Sequence, residues 1–337
     1  MRYVSLMCPL PYRSIVGCMA LVYHTHADRP PNSHPMDNRR GLWYTCRMRN
    51  ITRLVVAALV AGTACLAHAK TVKVLTIGNS FSICLLRQLP QCAAAMPDCK
   101  LDLCSLFIGG CSLERHWNNV VAAETNKTFR PYSVNWSYAS VEKKSDAPVA
   151  KVVVNGKANI PEMLTADKWD VITVQQASHF SWVPESYHPF GDDLVATIRK
   201  LAPQAKIMVQ QTWAYTPYDK RLKKWGIDPP TMHAKLKAAY ADFAKKHGLE
   251  IIPTGDAVQH FRKAMPSPDG ITGDPCGSPT GKDKFHLNEQ GNYLQACVWL
   301  GALFGCDVTK LTYRPDFLPE DRAVQMRASA KAALDAN

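Results

Sequence analysis

Runs of apolar, mostly β-branched residues recur along residues 70–337, and segments with apolar residues at helical spacing follow them. Short apolar runs of this kind predict buried β-strands, and the helical spacing predicts amphipathic helices. Strands that alternate with helices predict one α/β domain, a three-layer α/β/α arrangement around an open, mostly parallel sheet. A flavodoxin-like strand order suits five strands. The predicted strands cover residues 71–77, 100–108, 170–175, 206–210 and 249–253.

Residues that begin or end helices support the predicted helices. Asn288 is a natural N-cap for a long helix that runs to about residue 304, and Gly248 fits the C-cap of a helix over residues 232–246. Pro319 is placed to begin a last amphipathic helix. The other predicted helices cover residues 83–89, 113–124, 190–201 and 256–265.

Residues 126–160 interrupt this alternation. Two groups of β-forming residues, 132–141 and 149–154, lie on either side of a polar segment at residues 143–146. The pair predicts a small β-hairpin inserted into the α/β domain, at the surface near the functional edge of the sheet.

Residues 48–69 have the pattern of a secretory signal peptide. Two arginines, Arg49 and Arg53, precede a short apolar run over residues 54–66, and Ala67-His68-Ala69 follows it. A charged start, a short apolar core and an A-x-A end predict cleavage after Ala69 and export to the periplasm or the outside of the cell. The run is short for a membrane span, so we expect no stable span after cleavage.

Residues 1–47 then precede the signal peptide, and they show no sustained apolar period. We interpret them as a mis-called or unstructured extension, with translation starting at Met48. The alternative is a cytoplasmic tail with residues 54–66 as an anchor. We expect residues 70–337 to form the folded domain.

Much of the basic character belongs to the region before the predicted cleavage site. The chain has a formal net charge of +12, and residues 1–69 contribute eight arginines against two aspartates. The remainder is only modestly basic and has no clustered Lys/Arg stripe interleaved with aromatic residues. We therefore expect no nucleic-acid partner.

Eight of the 12 cysteines lie in residues 70–337. An even number in an exported protein suggests disulfides, whereas the absence of a C-x-x-C pair argues against a zinc site. Local spacing favours bridges between Cys92 and Cys99 and between Cys297 and Cys306. The alternative is that several of the eight are buried free thiols.

A serine follows the first predicted strand, in the turn Gly78-Asn79-Ser80. The carboxyl end of a parallel strand is where α/β proteins bind ligands, and a helix N-terminus offers free backbone N–H groups there. Ser80 is therefore a candidate nucleophile. The alternative is that Ser80 or Ser82 caps the helix.

A serine nucleophile needs a base and a group that orients this base. Among the histidines, His286 stands out because Asp283 precedes it by three residues within a loop. An Asp-x-x-His loop can fold so that the carboxylate reaches one imidazole nitrogen and leaves the other free to face a serine. The alternative for this pair alone is an ordinary salt link at the surface.

Two more blocks follow predicted strands, Gly109-Gly110 after the second and Gln175-Gln176-Ala177-Ser178 after the third. Together with Gly-Asn-Ser-Phe at residues 78–81 and the late Asp-x-x-His, they resemble the SGNH/GDSL hydrolase superfamily. Within it, the chain looks closest to an uncharacterised, secreted bacterial branch with a Gly-Asn-Ser-Phe-Ser first block. The stretches at residues 77–82, 109–114 and 211–215 suggest that branch.

The resemblance implies roles for individual residues. Ser80 would be the nucleophile and Asp283 and His286 would complete its triad, while the N–H groups of Ser80 and Gly110 would line the oxyanion hole. The chain departs from the family in having Asn79 for the usual aspartate. The family's Gly-x-Asn-Asp block is also missing, and Gln176, or else Gln175, is the expected substitute donor to the oxyanion.

Aromatic residues after the fourth strand extend the candidate site. Trp213 and Tyr215, with Tyr218, could form an apolar wall that stacks on a sugar, and His179 could contact substrate. The alternative for these aromatic residues is ordinary packing, and for His179 a structural polar role.

The sequence thus predicts an exported serine ester hydrolase that acts on a small-molecule or polysaccharide ester, without metal or cofactor. By analogy with the family, the substrate is an O-acetyl ester on a carbohydrate. Lipid, thioester or peptidoglycan esters are rival substrates. A carbohydrate-binding protein that kept the fold and lost activity is the rival of another class, because the third block is altered.

Overall fold

The computed structural model describes residues 71–139, 148–278 and 280–337. The predicted extension and signal peptide lie outside these ranges, as does the end of the first predicted hairpin strand. Within the described ranges, no helix combines the length and the apolar character needed to cross a membrane. The strands are β1 Thr71–Gly78, β2 Lys100–Phe107, β3 Tyr132–Ala139, β4 Lys157–Ala158, β5 Val171–Val174, β6 Lys206–Gln210 and β7 Glu250–Ile252.

The strands form one sheet in the order β4-β3-β2-β1-β5-β6-β7. Strands β2, β1, β5, β6 and β7 run parallel, and they are the five strands that the sequence predicts. Their order confirms the flavodoxin-like topology. Because all five run the same way, the loops after β1, β2, β5 and β6 meet at one edge of the sheet.

Strands β3 and β4 bring the sheet to seven strands within the described residues, rather than five. Strand β3 pairs antiparallel with β2, so residues 126–160 extend the main sheet instead of forming a separate hairpin. The predicted second strand at residues 149–154 is wrong. Pro148–Lys151 forms a 3-10 helix, and β4 pairs with β3 only at Lys157 and Ala158.

Helices cover both faces of the sheet. They are α1 Ser80–Ile83, α2 Leu89–Ala94, α3 Leu113–Thr125, α4 Ile160–Ala166, α5 Phe190–Leu201, α6 Lys220–Trp225, α7 Pro229–His247, α8 Thr254–Ala264, α9 Glu289–Phe304 and α10 Glu320–Asp335. Helices α3, α4 and α5 pack together in one layer, and α2, α8, α9 and α10 pack in the other. The three-layer prediction is therefore confirmed.

The predicted helix ends agree with the observed caps. Gly248 ends α7 in the left-handed conformation, with φ of +60°. The Asn288 side chain accepts a hydrogen bond from Gly291 N–H and caps α9, and Pro319 precedes α10. The sequence analysis missed α4 and α6, which are short helices of seven and six residues.

The cysteines of the described residues are free thiols in the structure. The expected local bridges are therefore wrong, and the alternative of free thiols is borne out for the described residues. Burial and the neighbouring Cys297 raise the pKa of Cys92, and the neighbouring Cys306 and burial raise the pKa of Cys99.

Candidate active site

The turn after β1 presents Ser80 as the first residue of α1. Asn79 is the N-cap, with an extended backbone (φ −138°, ψ −157°) and a side-chain oxygen that accepts from Phe81 N–H at 3.0 Å. Ser82 is buried and its Oγ donates to the Asn79 carbonyl at 3.0 Å. Asn79 therefore takes the capping role, and the Ser80 hydroxyl is left free for another partner.

Gly78 makes this turn possible. A Cβ on Gly78 would lie 2.2 Å from Ser82 Oγ and 3.0 Å from Ser82 Cβ, so a larger residue would push the Ser82 side chain out of its bond to the Asn79 carbonyl. The chain thus needs glycine directly before the Asn-Ser pair because the strand and the helix approach closely there.

The Asn79 side chain also joins the turn to the loops after two neighbouring strands. Its Nδ2 donates to the Cys111 carbonyl at 3.0 Å, and its Oδ1 accepts from Gln175 Nε2 at 2.6 Å. Asn79 is 1% exposed, so these bonds are shielded from water. The side chain fixes the nucleophile turn relative to the glycine loop after β2 and to the end of β5.

Ser80, His286 and Asp283 form one chain of hydrogen bonds. Ser80 Oγ lies 2.8 Å from His286 Nε2, and His286 Nδ1 lies 2.7 Å from Asp283 Oδ2. The three side chains are each half-buried at the carboxyl edge of the sheet. Folding thus brings Ser80 and His286 together across 206 residues of sequence.

Asp283 is held by the backbone of its own loop. Its Oδ1 accepts from the N–H groups of Phe285 and His286, both at 3.0 Å, and this leaves Oδ2 for the imidazole. Burial acts to raise the pKa of Asp283, but those two N–H groups and the imidazole outweigh it and lower the pKa. The carboxylate is therefore kept ionised beside His286.

Neighbouring loops hold the Asp-x-x-His segment in place. Gly277 N–H donates to the His286 carbonyl at 2.7 Å, and Trp213 Nε1 donates to the Phe285 carbonyl at 2.8 Å. The Phe285 ring packs on the His286 ring at 4.0 Å between centroids. These contacts restrict the imidazole to the orientation that faces Ser80.

The nucleophile turn and the glycine loop, which Asn79 joins, each carry a backbone N–H group without an acceptor among the described residues. Gly110 is exposed and has φ of +60°, and the Cys111 carbonyl directly after it is bound by Asn79. In the described part of the chain, neither Ser80 N–H nor Gly110 N–H donates to a protein acceptor. Free, fixed N–H groups beside a nucleophile are the usual elements of an oxyanion hole.

The Gln176 side chain has another role than the expected one. Its Nε2 donates to the Ser186 carbonyl at 2.8 Å and to Ser186 Oγ at 3.1 Å, and its Oε1 accepts from the N–H groups of Leu113 and Ala177. Both amide hydrogens are thus used within the protein. The prediction that Gln176 donates to the oxyanion is wrong in this geometry, and Gln175 acts on Asn79 instead.

The predicted aromatic wall does not exist in the expected form. Trp213 and Tyr215 are fully buried, so they cannot stack on a sugar. Trp213 packs against Phe81 at 4.2 Å, and Tyr215 Oη bonds to Ser178 Oγ at 2.8 Å. Both rings pack beneath the triad, where the burial of their apolar surface stabilises the fold.

His179 stays half-buried and packs on the exposed Phe180 ring at 4.3 Å. Burial and the nearby positive charge of Arg221 lower its pKa. Tyr218 is exposed, and its hydroxyl donates to the Asp269 carbonyl. These two side chains remain accessible to a bound molecule.

A cavity of about 450 Å³ opens beside Ser80 and His286. Sequence reasoning missed two residues that line it, the exposed Arg87 and the buried Asn292. The sequence around these two residues matches no motif. Asn292 could have been identified only from its position on the face of α9 that lies next to the His286 loop. A larger cavity of about 610 Å³ is lined by Glu250, Cys306 and Lys331 and contains none of the triad residues.

Within the described residues, no group of three or more His, Cys, Asp or Glu side chains is arranged to hold a metal ion. The groups that the site offers are a hydroxyl bonded to a base, a carboxylate that orients this base, and two backbone N–H groups without acceptors in the described residues.

Comparison with known proteins places the chain in a family. A family model described as a domain of unknown function, DUF4886, matches residues 73–336. The crystal structure of a DUF4886 family protein from Bacteroides uniformis ATCC 8492 is 29% identical, with a TM-score of 0.66, and the match covers 79% of this chain and 95% of that chain. No curated protein matches the chain.

More distant solved structures are also similar. A putative SGNH hydrolase from Slackia heliotrinireducens is 18% identical with a TM-score of 0.45, covering 68% of this chain and 98% of that chain. The acetyl xylan esterase AlAXEase is 15% identical with a TM-score of 0.42, covering 69% of this chain and 100% of that chain. Since the DUF4886 model spans most of the sequence, the protein belongs to the DUF4886 family.

Proposed function

We propose that the protein is a serine ester hydrolase with Ser80 as nucleophile, His286 as general base and Asp283 as the group that orients the base. The hydrogen-bonded chain from Ser80 Oγ through the imidazole to Asp283 Oδ2 carries this proposal. The resemblance of residues 78–81, Gly110 and the Asp-x-x-His loop to the SGNH/GDSL superfamily supports it independently.

The reaction follows from the positions of these groups. His286 Nε2 takes the hydroxyl proton while Ser80 Oγ attacks the ester carbonyl, and Asp283 stabilises the imidazolium that forms. The N–H groups of Ser80 and Gly110 bind the negative charge on the carbonyl oxygen. His286 then gives its proton to the alcohol that leaves, and water, activated by the same imidazole, releases the acyl group from Ser80.

We infer a short acyl group, an acetyl ester, carried on a carbohydrate. The half-buried triad opens into the cavity beside Arg87 and Asn292 rather than into a long apolar channel. Polar side chains of this kind suit a hydroxylated substrate better than a lipid tail. The signal-peptide pattern of residues 48–69 supports action outside the cytoplasm, where polysaccharide esters occur.

The experiment is turnover of a chromogenic acetyl ester by the purified protein, with Ser80→Ala and Ser82→Ala as paired variants. Ser80→Ala should abolish turnover, whereas Ser82→Ala should keep most of it because Ser82 bonds only to the turn backbone. A fluorophosphonate probe should add its mass to the peptide that contains Ser80. Equal turnover by wild type and Ser80→Ala would overturn the proposal.

A carbohydrate-binding protein without activity is the second candidate, because neither glutamine after β5 replaces the family's oxyanion donor. Binding of polysaccharide without turnover or fluorophosphonate labelling would favour it. A panel of acetylated polysaccharides, lipid esters and acetylated peptidoglycan would then separate the possible substrates.

A further inference from the structure

The cavity of about 450 Å³ beside the triad is built by two segments of the chain. Residues between Ser80 and Arg87 line one side, and residues between Asp283 and Asn292 line the other. In the described part of the chain, the lining includes no residue of the glycine loop after β2. The cavity therefore borders the base, and the Gly110 N–H of the proposed oxyanion hole lies outside it.

The position of His286 assigns this cavity to one half of the substrate. In the proposed reaction His286 Nε2, which lies 2.8 Å from Ser80 Oγ, returns its proton to the oxygen of the alcohol that leaves. That oxygen must therefore come within hydrogen-bond distance of Nε2. The volume lies within the range of about 300–1,000 Å³ that is typical of small-molecule sites. The alcohol half of the ester thus belongs in this cavity.

Asn292 is a polar side chain without a partner at the wall of the cavity. It is 2% exposed, and among the described residues its side chain takes part in no hydrogen bond. Its neighbour Asn288 differs, because Asn288 Nδ2 donates to the Asp274 carbonyl at 2.7 Å and Oδ1 accepts from Gly291 N–H at 3.1 Å. A buried amide without a partner is unfavourable and uncommon in proteins. A bound molecule that hydrogen-bonds to Asn292 would satisfy it.

Two charged side chains line the cavity without a counter-ion. Arg87 ends the 3-10 helix that follows α1, and Glu289 is the first residue of α9. Both are exposed, and within the described residues neither takes part in an ion pair or a side-chain hydrogen bond. A bound molecule therefore meets one free guanidinium and one free carboxylate.

This combination of charges favours a neutral ligand. Burial raises the pKa of the Cys84 thiol to about 12, so Cys84 stays uncharged, and Asp283 is already bonded to His286. A ligand with a net charge would be attracted by one of Arg87 and Glu289 and repelled by the other. A neutral ligand that carries hydroxyl groups can instead accept from the guanidinium and donate to the carboxylate.

We propose that this cavity binds a neutral sugar unit, the alcohol half of the ester, and that Arg87, Glu289 and Asn292 select it. The guanidinium donates to hydroxyl oxygens of the sugar, the carboxylate accepts from its hydroxyl groups, and the amide adds a further bond. The half-buried Ile83 and the buried Leu287 offer apolar surface to the C–H groups of the ring. This inference rests on the proposed function, because the base must reach the alcohol oxygen.

Matched substrates test the selection by charge. They are an acetylated methyl glucoside, the corresponding glucuronide with a carboxylate at the exocyclic carbon, and the corresponding amino sugar with an ammonium group there. The wild type should hydrolyse the neutral glucoside with a kcat/KM about tenfold above that of either charged analogue. Equal kcat/KM for all of them, a preference for a charged sugar, or turnover of none would overturn the proposal.

Charge variants should shift this preference in opposite directions. Glu289→Gln should raise the kcat/KM for the glucuronide relative to the glucoside by about fivefold, and Arg87→Gln should do the same for the amino sugar. Both should raise the KM for the glucoside. Glu124→Gln is the matched control, because it makes the same change of charge at an exposed position in the last turn of α3, and it should keep the wild-type ratios. A loss that is equal for all substrates would contradict the assigned roles.

Asn292→Leu separates binding from stability. Leucine is similar in size and removes a buried amide that has no partner within the described chain, so the Tm should stay at or above the wild-type value. The KM for the acetylated glucoside should rise about tenfold, because the sugar loses a hydrogen bond. An unchanged KM, whatever the Tm, would exclude Asn292 from the site.

Failure of this inference differs from failure of the proposed function. Without Ser80-dependent turnover of the chromogenic acetyl ester, the proposed function itself is wrong. If Ser80→Ala abolishes turnover of that ester but the sugar series shows no preference for the neutral member, the hydrolase stands and only the sugar site is wrong.

Discussion

Asn79 Nδ2 donates to the carbonyl oxygen of Cys111 at 3.0 Å. This single bond joins the nucleophile turn after β1 to the glycine loop after β2. The same side chain caps α1 through Oδ1, so both of its polar atoms are used. Asparagine is the side chain that can donate on one side and accept on the other. Asparagine at this position, where the SGNH/GDSL block that the sequence resembles has aspartate, therefore matches the local geometry.

Replacement of Asn79 by aspartate should lower kcat by about tenfold or more, because a carboxylate cannot donate to Cys111 and would repel its carbonyl oxygen. The cap on α1 should survive, since aspartate accepts from Phe81 N–H equally well. Steady-state hydrolysis of an acetyl ester measures the change. Asn159→Asp is the matched control, because Asn159 also caps a helix and donates to a carbonyl, that of Phe129 at 3.3 Å. Equal activity of the two variants would contradict a special role for Asn79.

Asp283→Asn should lower kcat by about 10³- to 10⁴-fold. The two backbone N–H groups at Asp283 Oδ1 would hold the amide oxygen, so the amide nitrogen would face His286 Nδ1. The imidazole would then carry its proton on Nε2, toward Ser80, and could not accept the hydroxyl proton. Asp307→Asn is the control, because Asp307 accepts similarly from Thr309 N–H but lies on another loop. Turnover of the Asp283 variant at the wild-type rate would exclude the proposed triad.

Gly110→Ala should lower kcat by about 10- to 100-fold, because φ of +60° strains a residue with a Cβ and moves the N–H at the proposed oxyanion site. The strain itself should cost about 1–2 kcal/mol of folding stability. Gly305→Ala provides a matched comparison, with φ of +65° at the end of α9 and open space around the Cβ. Both variants should lose similar stability in urea unfolding, and only Gly110→Ala should lose activity.

Gln176→Leu tests the corrected role of this glutamine. Loss of its bonds to Ser186, Leu113 and Ala177 should reduce the free energy of unfolding by about 1–3 kcal/mol. The kcat of the folded protein should change by less than about tenfold, whereas loss of an oxyanion donor costs about 10²–10³. Kinetics below the unfolding transition distinguish the two cases. A fall of 100-fold or more would restore Gln176 to the oxyanion hole.

Asp256 should make stability depend on pH below about pH 4. Burial acts to raise its pKa, but the His233 and Lys237 side chains, each 3.0 Å away, outweigh it and lower the pKa to about 2. A carboxylate with a lowered folded pKa stabilises the protein above the unfolded value of 3.8 and loses this contribution as the pH falls toward 2. The contribution at pH 7 is about 2 kcal/mol.

Asp256→Asn should therefore lose about 2 kcal/mol at pH 7 and little near pH 2, as measured by urea unfolding at several pH values. Asp316→Asn makes the same change of charge at an exposed position and should follow the wild type throughout. A stability difference for Asp256→Asn that stays constant with pH would rule out this ionic contribution.

Local sequence patterns predicted much of the fold. The apolar runs identified the five parallel strands because buried strands need continuous apolar side chains, and Gly248 and Asn288 marked helix ends because caps are local. The wrong predictions concern segments in which the local preference for strand did not decide the structure. Residues 149–154 are rich in β-formers, but pairing with β3 occurs at Lys157 and Ala158 instead. A strand needs a partner, and its position depends on the rest of the sheet.

The sequence by itself determined which residue types stand at the ends of the strands: Ser80 after β1, Gly110 after β2 and the Asp-x-x-His loop before α9. Only the tertiary structure decided how their side chains are used. Asn79 rather than a serine caps α1, the Gln176 amide turns to Ser186, and Trp213 is buried beneath the triad. The Cys84 thiol likewise finds its partner in a distant segment, the Gln295 side chain of α9. These hydrogen bonds and packing contacts join segments that are far apart in the sequence. They depend on how the sheet and the helix layers assemble, and residue type and spacing alone do not specify that assembly.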